Sequence, residues 1–257
     1  MIGDVVGEPG LEVLERCLPP LIREVSADFV MVNGENVFGG FGITAPLLER
    51  LFASGADVVS GGNHIWEQRE FWPVLEAESR VLRPHNYPEG SPGKGWVKME
   101  KQSSDGLPLS YLAVNLQGRE LMKPLDCPFK SFDSLEEHLK DAVVLVDFHA
   151  ESTREKEALG FYLDGRASIV AGTHTHVQTA DERILSKGTA YITDLGMSGI
   201  LSGVIGMDSK ICLDRARNQV LYRMEIAAPA EGGKTAIQGI IAEIDSTSKK
   251  AVSIRRI

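Results

Sequence analysis

Short apolar runs alternate along the chain with longer amphipathic segments. The runs are rich in β-branched residues, have the length of buried strands, and occur at residues 29–32, 58–59, 109–116, 143–148, 168–171 and 189–193. Amphipathic segments that favour helices lie at residues 11–25, 45–53, 67–78 and 153–163. Thr44 and Ser152, two typical N-cap residues, directly precede the second and the fourth of these segments. The alternation predicts an α/β layered fold.

Two turn-rich stretches interrupt the alternation. Residues 83–106 and 123–134 are rich in Pro, Gly and polar residues, which predicts loops or a small inserted cap over about residues 83–133. Neither stretch has the composition of a flexible linker, and the sequence contains no repeat of 20 to 50 residues. We therefore expect residues 1–257 to form a single domain.

The two ends of the sequence predict further strands. Residues 236–244 and 251–254 are expected to close the fold around a turn at 246–249. At the other end only Met1 and Ile2 precede Gly3-Asp4, so a first strand ending at Asp4 is very short. A natural start upstream of Met1 would lengthen it.

Composition and charge exclude several classes of protein. Hydrophobic residues make up 43% and charged residues 25%, which is ordinary for a globular domain and unlike a disordered or collagenous chain. The formal charge of −9 argues against binding of duplex nucleic acid through a broad positively charged surface. Three widely spaced cysteines fit neither a disulfide framework nor a thiolate metal site. With no apolar run of about 20 residues and no signal peptide, we expect a cytoplasmic protein without membrane contact.

Polar residues recur just after the predicted strands. The fragments are Gly3-Asp4, Asn33-Gly34-Glu35-Asn36, Gly62-Asn63-His64, Asp147-Phe148-His149-Ala150-Glu151 and Gly172-Thr173-His174-Thr175-His176. Each fragment alone also fits a turn or a hydrogen-bonded structural residue. Together they place several nitrogen and oxygen donors at strand ends, where the carboxyl ends of parallel strands meet in one crevice. This arrangement predicts a metal site.

The two neighbouring histidines carry the strongest single signal. Residues at i and i+2 of an extended segment point to the same side, so His174 and His176 are expected to reach one metal or two adjacent ones. His85 lies in the Pro-rich stretch and His138 in an amphipathic segment, and neither follows a predicted strand. We interpret both as structural or surface residues.

These motifs, in this order, resemble the calcineurin-like metallophosphoesterases, and in detail the YmdB-like branch described as 2′,3′-cyclic-nucleotide phosphodiesterases. The resemblance runs almost end to end and includes Gly39-Gly-Phe-Gly-Ile-Thr44, Asp126-Cys-Pro-Phe129, Val177-Gln-Thr-Ala-Asp-Glu-Arg183 and Ile192-Thr-Asp-Leu-Gly-Met197. The superfamily usually has a His two residues after the first Asp, where this chain has Val6. The branch shares this departure, and Asn36 is thought to supply the missing ligand.

The resemblance implies a layered α/β/β/α metallophosphoesterase sandwich that binds two metal ions. Asp4, Glu35, Asn36 and His176 would hold one ion, and Glu35, Asn63, His149 and His174 would hold the other. Iron or manganese is favoured by the family, and zinc also suits this donor set. His64 would lie beside the metals as a catalytic residue. Members of the family are reported as homo-oligomers.

The implied ligand set suits an anionic substrate. Two divalent ions lower the pKa of a bridging water and neutralise phosphoryl charge. With only Asp4 and Glu35 charged, the centre with a bridging hydroxide stays near +1, and His64 could protonate the leaving sugar oxygen. Asp147 and Glu151 are candidates to orient a ligand imidazole, and Thr173, Thr175 and Asp194 are weaker candidates.

The expected function is therefore metal-dependent hydrolysis of small nucleotide phosphodiesters, such as 2′,3′-cyclic nucleoside monophosphates, by a metal-bridging hydroxide. One alternative is a phosphomonoesterase or phosphoprotein phosphatase on the same centre. Another is a non-catalytic metal-dependent regulatory protein, against which an unligated His64 beside the metals argues.

Overall fold

The computed structural model describes residues 1–104, 106–228 and 234–257. The helices are α1 Gly7–Val25, α2 Ala45–Ala53, α3 Trp72–Ala77, α4 Pro128–Asp133, α5 Glu136–Leu139, α6 Thr153–Tyr162 and α7 Ser209–Asn218. The strands are β1 Asp4–Val5, β2 Met31–Asn33, β3 Val58–Ser60, β4 Val81–Leu82, β5 Trp96–Gln102, β6 Pro108–Gln117, β7 Ala142–His149, β8 Ile169–Thr173, β9 Arg183–Ile184, β10 Ala190–Ile192, β11 Met197–Ile200, β12 Thr235–Ala236, β13 Ile240–Ile244 and β14 Ala251–Arg256. The fold is mixed α/β with several sheets, as the alternation of the sequence predicts.

The largest sheet has six strands in the order β5-β6-β7-β8-β10-β9. Its four inner strands run parallel, and each edge strand is antiparallel to its neighbour. In this register Gln117 pairs with His149, and His149 pairs with Thr173. Three polar side chains thus end adjacent parallel strands at the same edge of the sheet, as expected for an α/β protein.

A second group of strands lies around the amino-terminal residues. β2, β3 and β4 form a parallel sheet, while β1 pairs in parallel with β11. Ile2 bridges to Val32 of β2 on one side and to Gly239 on the other. The short β1 is therefore flanked by neighbours on both sides, and this holds the buried Asp4 in place.

Three large clusters of buried apolar residues stabilise the fold. One contains residues of α1, α2 and α3 together with outward residues of the β2-β3-β4 sheet, such as Leu14 and Val59. Another joins the six-stranded sheet to α4 and α6, with Leu159 among its members. A third contains residues of both sheets, including Val58 and Leu145. Burial of this apolar surface is the main favourable contribution to folding.

Several predicted elements differ in detail. The stretch 83–106 predicted as loop contains β5, whose alternating exposed and half-buried residues pair along β6, and α4 lies within the turn-rich residues 123–134. The helix predicted at 67–78 is a 3₁₀ turn, Arg69–Phe71, followed by α3, whose first turn contains a proline. The strand predicted at 236–244 is interrupted, because residues 237–239 separate β12 from β13.

The two predicted N-caps have different outcomes. The Ser152 side chain accepts a hydrogen bond from the Glu155 amide at the start of α6, which confirms this cap. Thr44 precedes α2 as expected, but its side chain makes no capping hydrogen bond. Among the described residues, no helix is long and apolar enough to cross a membrane.

Candidate metal centre

Glu35, His149 and His174 meet at the carboxyl ends of the sheets. Glu35 follows β2, His149 ends β7, and His174 follows β8. One ligand atom from each lies within 4.8 Å of the other two, which is close enough for a single cation to bind all three. Glu35 and His149 are fully buried, whereas the His174 side chain keeps 23% of its exposure. The cluster is therefore a buried donor set with one side open to solvent.

Glu35 has an oxygen whose hydrogen-bonding capacity is unused. Its Oε2 accepts the His64 amide at 3.0 Å. Its Oε1 lies 2.9 Å from Nε2 of His149, yet it has no hydrogen-bond partner among the described residues. Oδ1 of Asn63 lies 3.1 Å from the same nitrogen. Two oxygen acceptors thus converge on one imidazole nitrogen, and an unpaired buried acceptor is costly unless a cation satisfies it.

Protonation of this group follows from its burial and its charges. Burial opposes ionisation of Glu35, but the adjacent His149 outweighs it and keeps the carboxyl pKa below its ordinary value. Burial likewise opposes protonation of His149, but Glu35 outweighs it and raises the imidazole pKa. Burial and the neighbouring His149 lower the pKa of His174 to about 3, so that ring is neutral. Each group therefore favours the charged form of the other, and a metal bound to both would take the place of a proton on the His149 ring.

A chain of hydrogen bonds orients the His149 ring. Its Nδ1 lies 3.0 Å from the Thr173 hydroxyl, which donates to Oδ1 of Asp147 at 2.6 Å. The ring Nδ1–H therefore donates to Thr173, and Nε2 faces Glu35. Asp147, a predicted orienting residue, acts through Thr173 rather than by direct contact. Burial raises the pKa of Asp147 to about 6, although Ser60 and Asn33 donate to its other oxygen at 2.5 and 3.0 Å.

A second group of donors contains Asp4, Asn36 and His176. Oδ1 of Asp4 lies 3.2 Å from the Asn36 amide nitrogen and 3.6 Å from Nε2 of His176. Nδ1–H of His176 donates to the main-chain carbonyl of Ile205 at 2.9 Å, so its Nε2 faces the carboxylate. Burial lowers the pKa of His176, but Asp4 outweighs it and raises the pKa to about 9; Asp4 in turn stays ionised. At neutral pH the His176 imidazolium therefore balances the charge of the Asp4 carboxylate.

The predicted relation between His174 and His176 is wrong in one respect. The segment is not extended, because His174 has a φ of 92° and His176 a φ of 61°. The rings consequently do not lie on one side of a strand. His174 faces Glu35 and Glu151, with Nε2 3.1 Å from Oε2 of Glu151, whereas His176 faces Asp4.

His64 lies next to these groups without joining them. Its amide donates to Glu35, but its ring packs edge-on against Phe41 and places Nδ1 3.2 Å from Oε1 of Glu67. The other two histidines lie elsewhere: His85 is 3.4 Å from the Ser134 hydroxyl, and His138 stacks on a tryptophan.

Three buried polar residues near the site have no role assigned in the sequence analysis, although Asn33 stands in one of its strand-end fragments. Ser60 ends β3 and donates to Asp147, and Asn33 ends β2 and does the same. The position of Ser60 after Val58-Val59 is a signal that the rule of polar residues at strand ends would have caught. Lys156 forms a buried ion pair with Asp194 at 2.7 Å, and a lysine within a helix gives no such signal.

The residues present fit a divalent metal centre. The donors are carboxylate, amide and imidazole groups without thiolate, which suits iron, manganese or zinc. Gly62 leaves the necessary space: a Cβ atom there would lie 2.4 Å from Nε2 of His149 and 2.5 Å from Oε2 of Glu35. The site thus has an unpaired carboxylate oxygen on Glu35, imidazole and carboxylate groups close enough to share a cation, and a glycine that keeps the space open.

Known proteins are similar to this protein along its whole chain. The model of a family described as YmdB-like protein matches residues 1–257. The 2′,3′-cyclic-nucleotide 2′-phosphodiesterase of Bacillus subtilis (strain 168) is 45% identical over 258 residues, covering 100% of this chain and 94% of that protein. A hypothetical protein from Thermus thermophilus superposes with a TM-score of 0.90 at 41% identity, over 100% of this chain and 96% of the other. A Mycoplasma pneumoniae structure described as a novel phosphatase also superposes with a TM-score of 0.90. It is 30% identical, and the match covers 100% of this chain and 90% of the other.

Proposed function

Because the chain belongs to the YmdB-like protein family, we propose that it is a metal-dependent phosphodiesterase that hydrolyses small nucleotides such as 2′,3′-cyclic nucleoside monophosphates. The observation that carries this proposal is the convergence of two carboxylate–imidazole pairs, Glu35 with His149 and Asp4 with His176, at one edge of the fold. The phosphodiesterase from Bacillus subtilis, at 45% identity over the full chain, supports the choice of a cyclic diester.

We further propose that the fold is the layered α/β/β/α sandwich of the calcineurin-like metallophosphoesterases. The three apolar clusters support this arrangement, since one lies between the sheets and the other two join a sheet to helices. A small nucleotide remains the proposed partner, and a homo-oligomer remains a prediction.

The ligand assignment follows the two groups of donors. Asp4, Asn36 and His176 would hold one metal, and Asn63, His149 and His174 would hold the other, with Glu35 shared between them. Iron or manganese is the proposed pair, with zinc as the other candidate. The amide nitrogen of Asn36 faces Asp4, so binding through its oxygen requires the terminal amide to turn over.

Each part of the site has a task in hydrolysis. When bound, two divalent ions would activate water and neutralise the charge of the phosphoryl group. Thr173 holds the His149 ring with Nε2 toward the centre, and the Ile205 carbonyl does the same for His176. Glu67 lies against Nδ1 of His64, which leaves Nε2 of His64 to donate a proton to the departing sugar oxygen.

Replacing His64 with alanine should lower kcat for a cyclic nucleotide by about 10²- to 10⁴-fold, the usual contribution of a positioned acid. Metal content should stay at the wild-type level, because the His64 ring contacts Phe41 and Glu67 rather than the donor groups. Steady-state kinetics with elemental analysis measure both. Unchanged turnover with normal metal content would remove His64 from the mechanism.

The class of reaction is tested by substrate preference. The protein, purified without chelators, should hydrolyse bis-p-nitrophenyl phosphate faster than the monoester p-nitrophenyl phosphate, and should open 2′,3′-cyclic nucleotides. A clear preference for the monoester would favour the phosphomonoesterase, for which the phosphatase from Mycoplasma pneumoniae is a structural precedent. Full metal occupancy with no hydrolysis of either ester would favour a regulatory protein.

A further inference from the structure

The turn that carries His174 and His176 has an unfavourable backbone. Both residues have positive φ, 92° and 61°, a region that non-glycine residues seldom adopt. Such a conformation persists only where surrounding contacts determine it. Since each histidine faces a different group of donors, the contacts that impose this turn also separate the two rings.

Thr175, the residue between the histidines, makes contacts that can impose the turn. Its hydroxyl donates to Oδ2 of Asp194 at 2.5 Å and accepts from Nζ of Lys156 at 2.9 Å. Its amide donates to the same Asp194 oxygen at 3.3 Å. Both the main chain and the side chain of Thr175 are therefore bound at one point.

The partners of Thr175 are themselves buried and fixed. The side chains of Lys156 and Asp194 are 2% and 1% exposed, and they form an ion pair at 2.7 Å. The other Asp194 oxygen accepts the Gly196 amide at 2.7 Å. Removing two charges from water is costly and is offset only by well-placed partners, so this pair has little freedom to move.

Helix α6 and the residue just before it contact the turn at two places, Thr175 and His174. Lys156 lies on α6, and Glu151, just before that helix, contacts Nε2 of His174 at 3.1 Å. The Lys156 stem also packs against the backbone of β8, where a Cβ at Gly172 would lie 2.9 Å from its Cδ. The helix is thus attached both to the strand that precedes the turn and to the turn itself.

We propose that Thr175, held by Lys156 and Asp194, is a positioning residue that sets the two histidines for metal binding. This inference rests on the metal centre of the proposed function. A purely structural role for the three residues would contribute to stability and leave the affinity for metal unchanged.

The experiment compares Thr175→Val, which removes the hydroxyl, with Thr175→Ser, which keeps it. Manganese is titrated into each metal-free protein by calorimetry, and the electron paramagnetic resonance spectrum of the bound ion is recorded. Loss of a partner that orients ligands typically weakens metal binding by 10- to 100-fold, so we expect a loss of about this size for the valine variant. The serine variant should bind as the wild type does.

Leu159→Ala provides the matched control for stability. Leu159 lies on the same helix and is fully buried in the apolar cluster that joins α6 to the six-stranded sheet, and it makes no hydrogen bond to Thr175. The Leu159→Ala substitution should lower the unfolding temperature. It should leave the manganese affinity and the electron paramagnetic resonance spectrum unchanged.

Two outcomes would overturn the inference. One is a Thr175→Val protein that binds manganese as tightly as the wild type, and the other is an equal loss of affinity in Leu159→Ala. A wild-type protein that binds no manganese, iron or zinc would instead contradict the proposed function.

Discussion

Replacing Glu35 with glutamine is expected to reduce kcat/KM for a 2′,3′-cyclic nucleotide by at least about 10³-fold. The substitution keeps the shape of the side chain and an oxygen for the His64 amide, but it removes one of the two carboxylate charges of the centre. Metal ions contribute several kcal/mol to such reactions, and each 1.36 kcal/mol corresponds to a factor of ten in rate. Kinetics at saturating manganese, together with elemental analysis of the purified protein, measure the effect.

Glu137→Gln is the control for this substitution. Glu137 is an exposed residue of α5, outside the donor groups, and its loss changes the net charge by the same amount. It should leave kcat/KM and metal content unchanged. A Glu35→Gln protein with full metal content and activity within tenfold of wild type would refute the assigned role of Glu35 as a shared ligand.

Replacing Lys156 with methionine is expected to lower the free energy of unfolding by about 3–5 kcal/mol, the usual cost of breaking a buried ion pair from one side. Methionine fills most of the space of the lysine stem but leaves the Asp194 carboxylate buried without its counter-ion. Urea unfolding of the metal-free protein measures this loss without a contribution from bound metal.

Lys210→Met separates this effect from a general loss of positive charge. Nζ of Lys210 lies 2.6 Å from Asp214, but its side chain is 83% exposed, so its removal should change stability by less than about 1 kcal/mol. If the two variants had equal free energies of unfolding, Lys156 and Asp194 could not form the buried ion pair described above.

The fold was predictable where the apolar pattern was strong. The run at 143–148 lies within β7, whose residues are all buried, and the segment after Ser152 forms α6 with the expected cap. The pattern failed where burial is slight: α7 has no buried residue and therefore shows no apolar stripe. β5 alternates between exposed and half-buried residues at the edge of its sheet, beside glycine and proline residues typical of loops.

The site was predictable to the extent that it obeys one rule, that polar residues at the carboxyl ends of strands converge. That rule brings Glu35, Asn63, His149 and His174 together. It could not give the turn between the histidines, because their positive φ values depend on tertiary contacts. Lys156 and Asp194 are separated by 38 residues, and their pairing has no local signature in the sequence.

The hydrogen bonds that orient His149 and His176 constrain amino-acid substitution in different ways. His149 depends on the hydroxyl of Thr173, so only serine could replace that threonine and keep the ring in place. His176 depends on the main-chain carbonyl of Ile205, which every amino acid supplies. Residue 205 has a φ of 51°, which a β-branched side chain tolerates poorly, so glycine or asparagine would suit the position better. Homologues are accordingly expected to change the side chain at 205, most often to glycine or asparagine, while retaining a hydroxyl at 173.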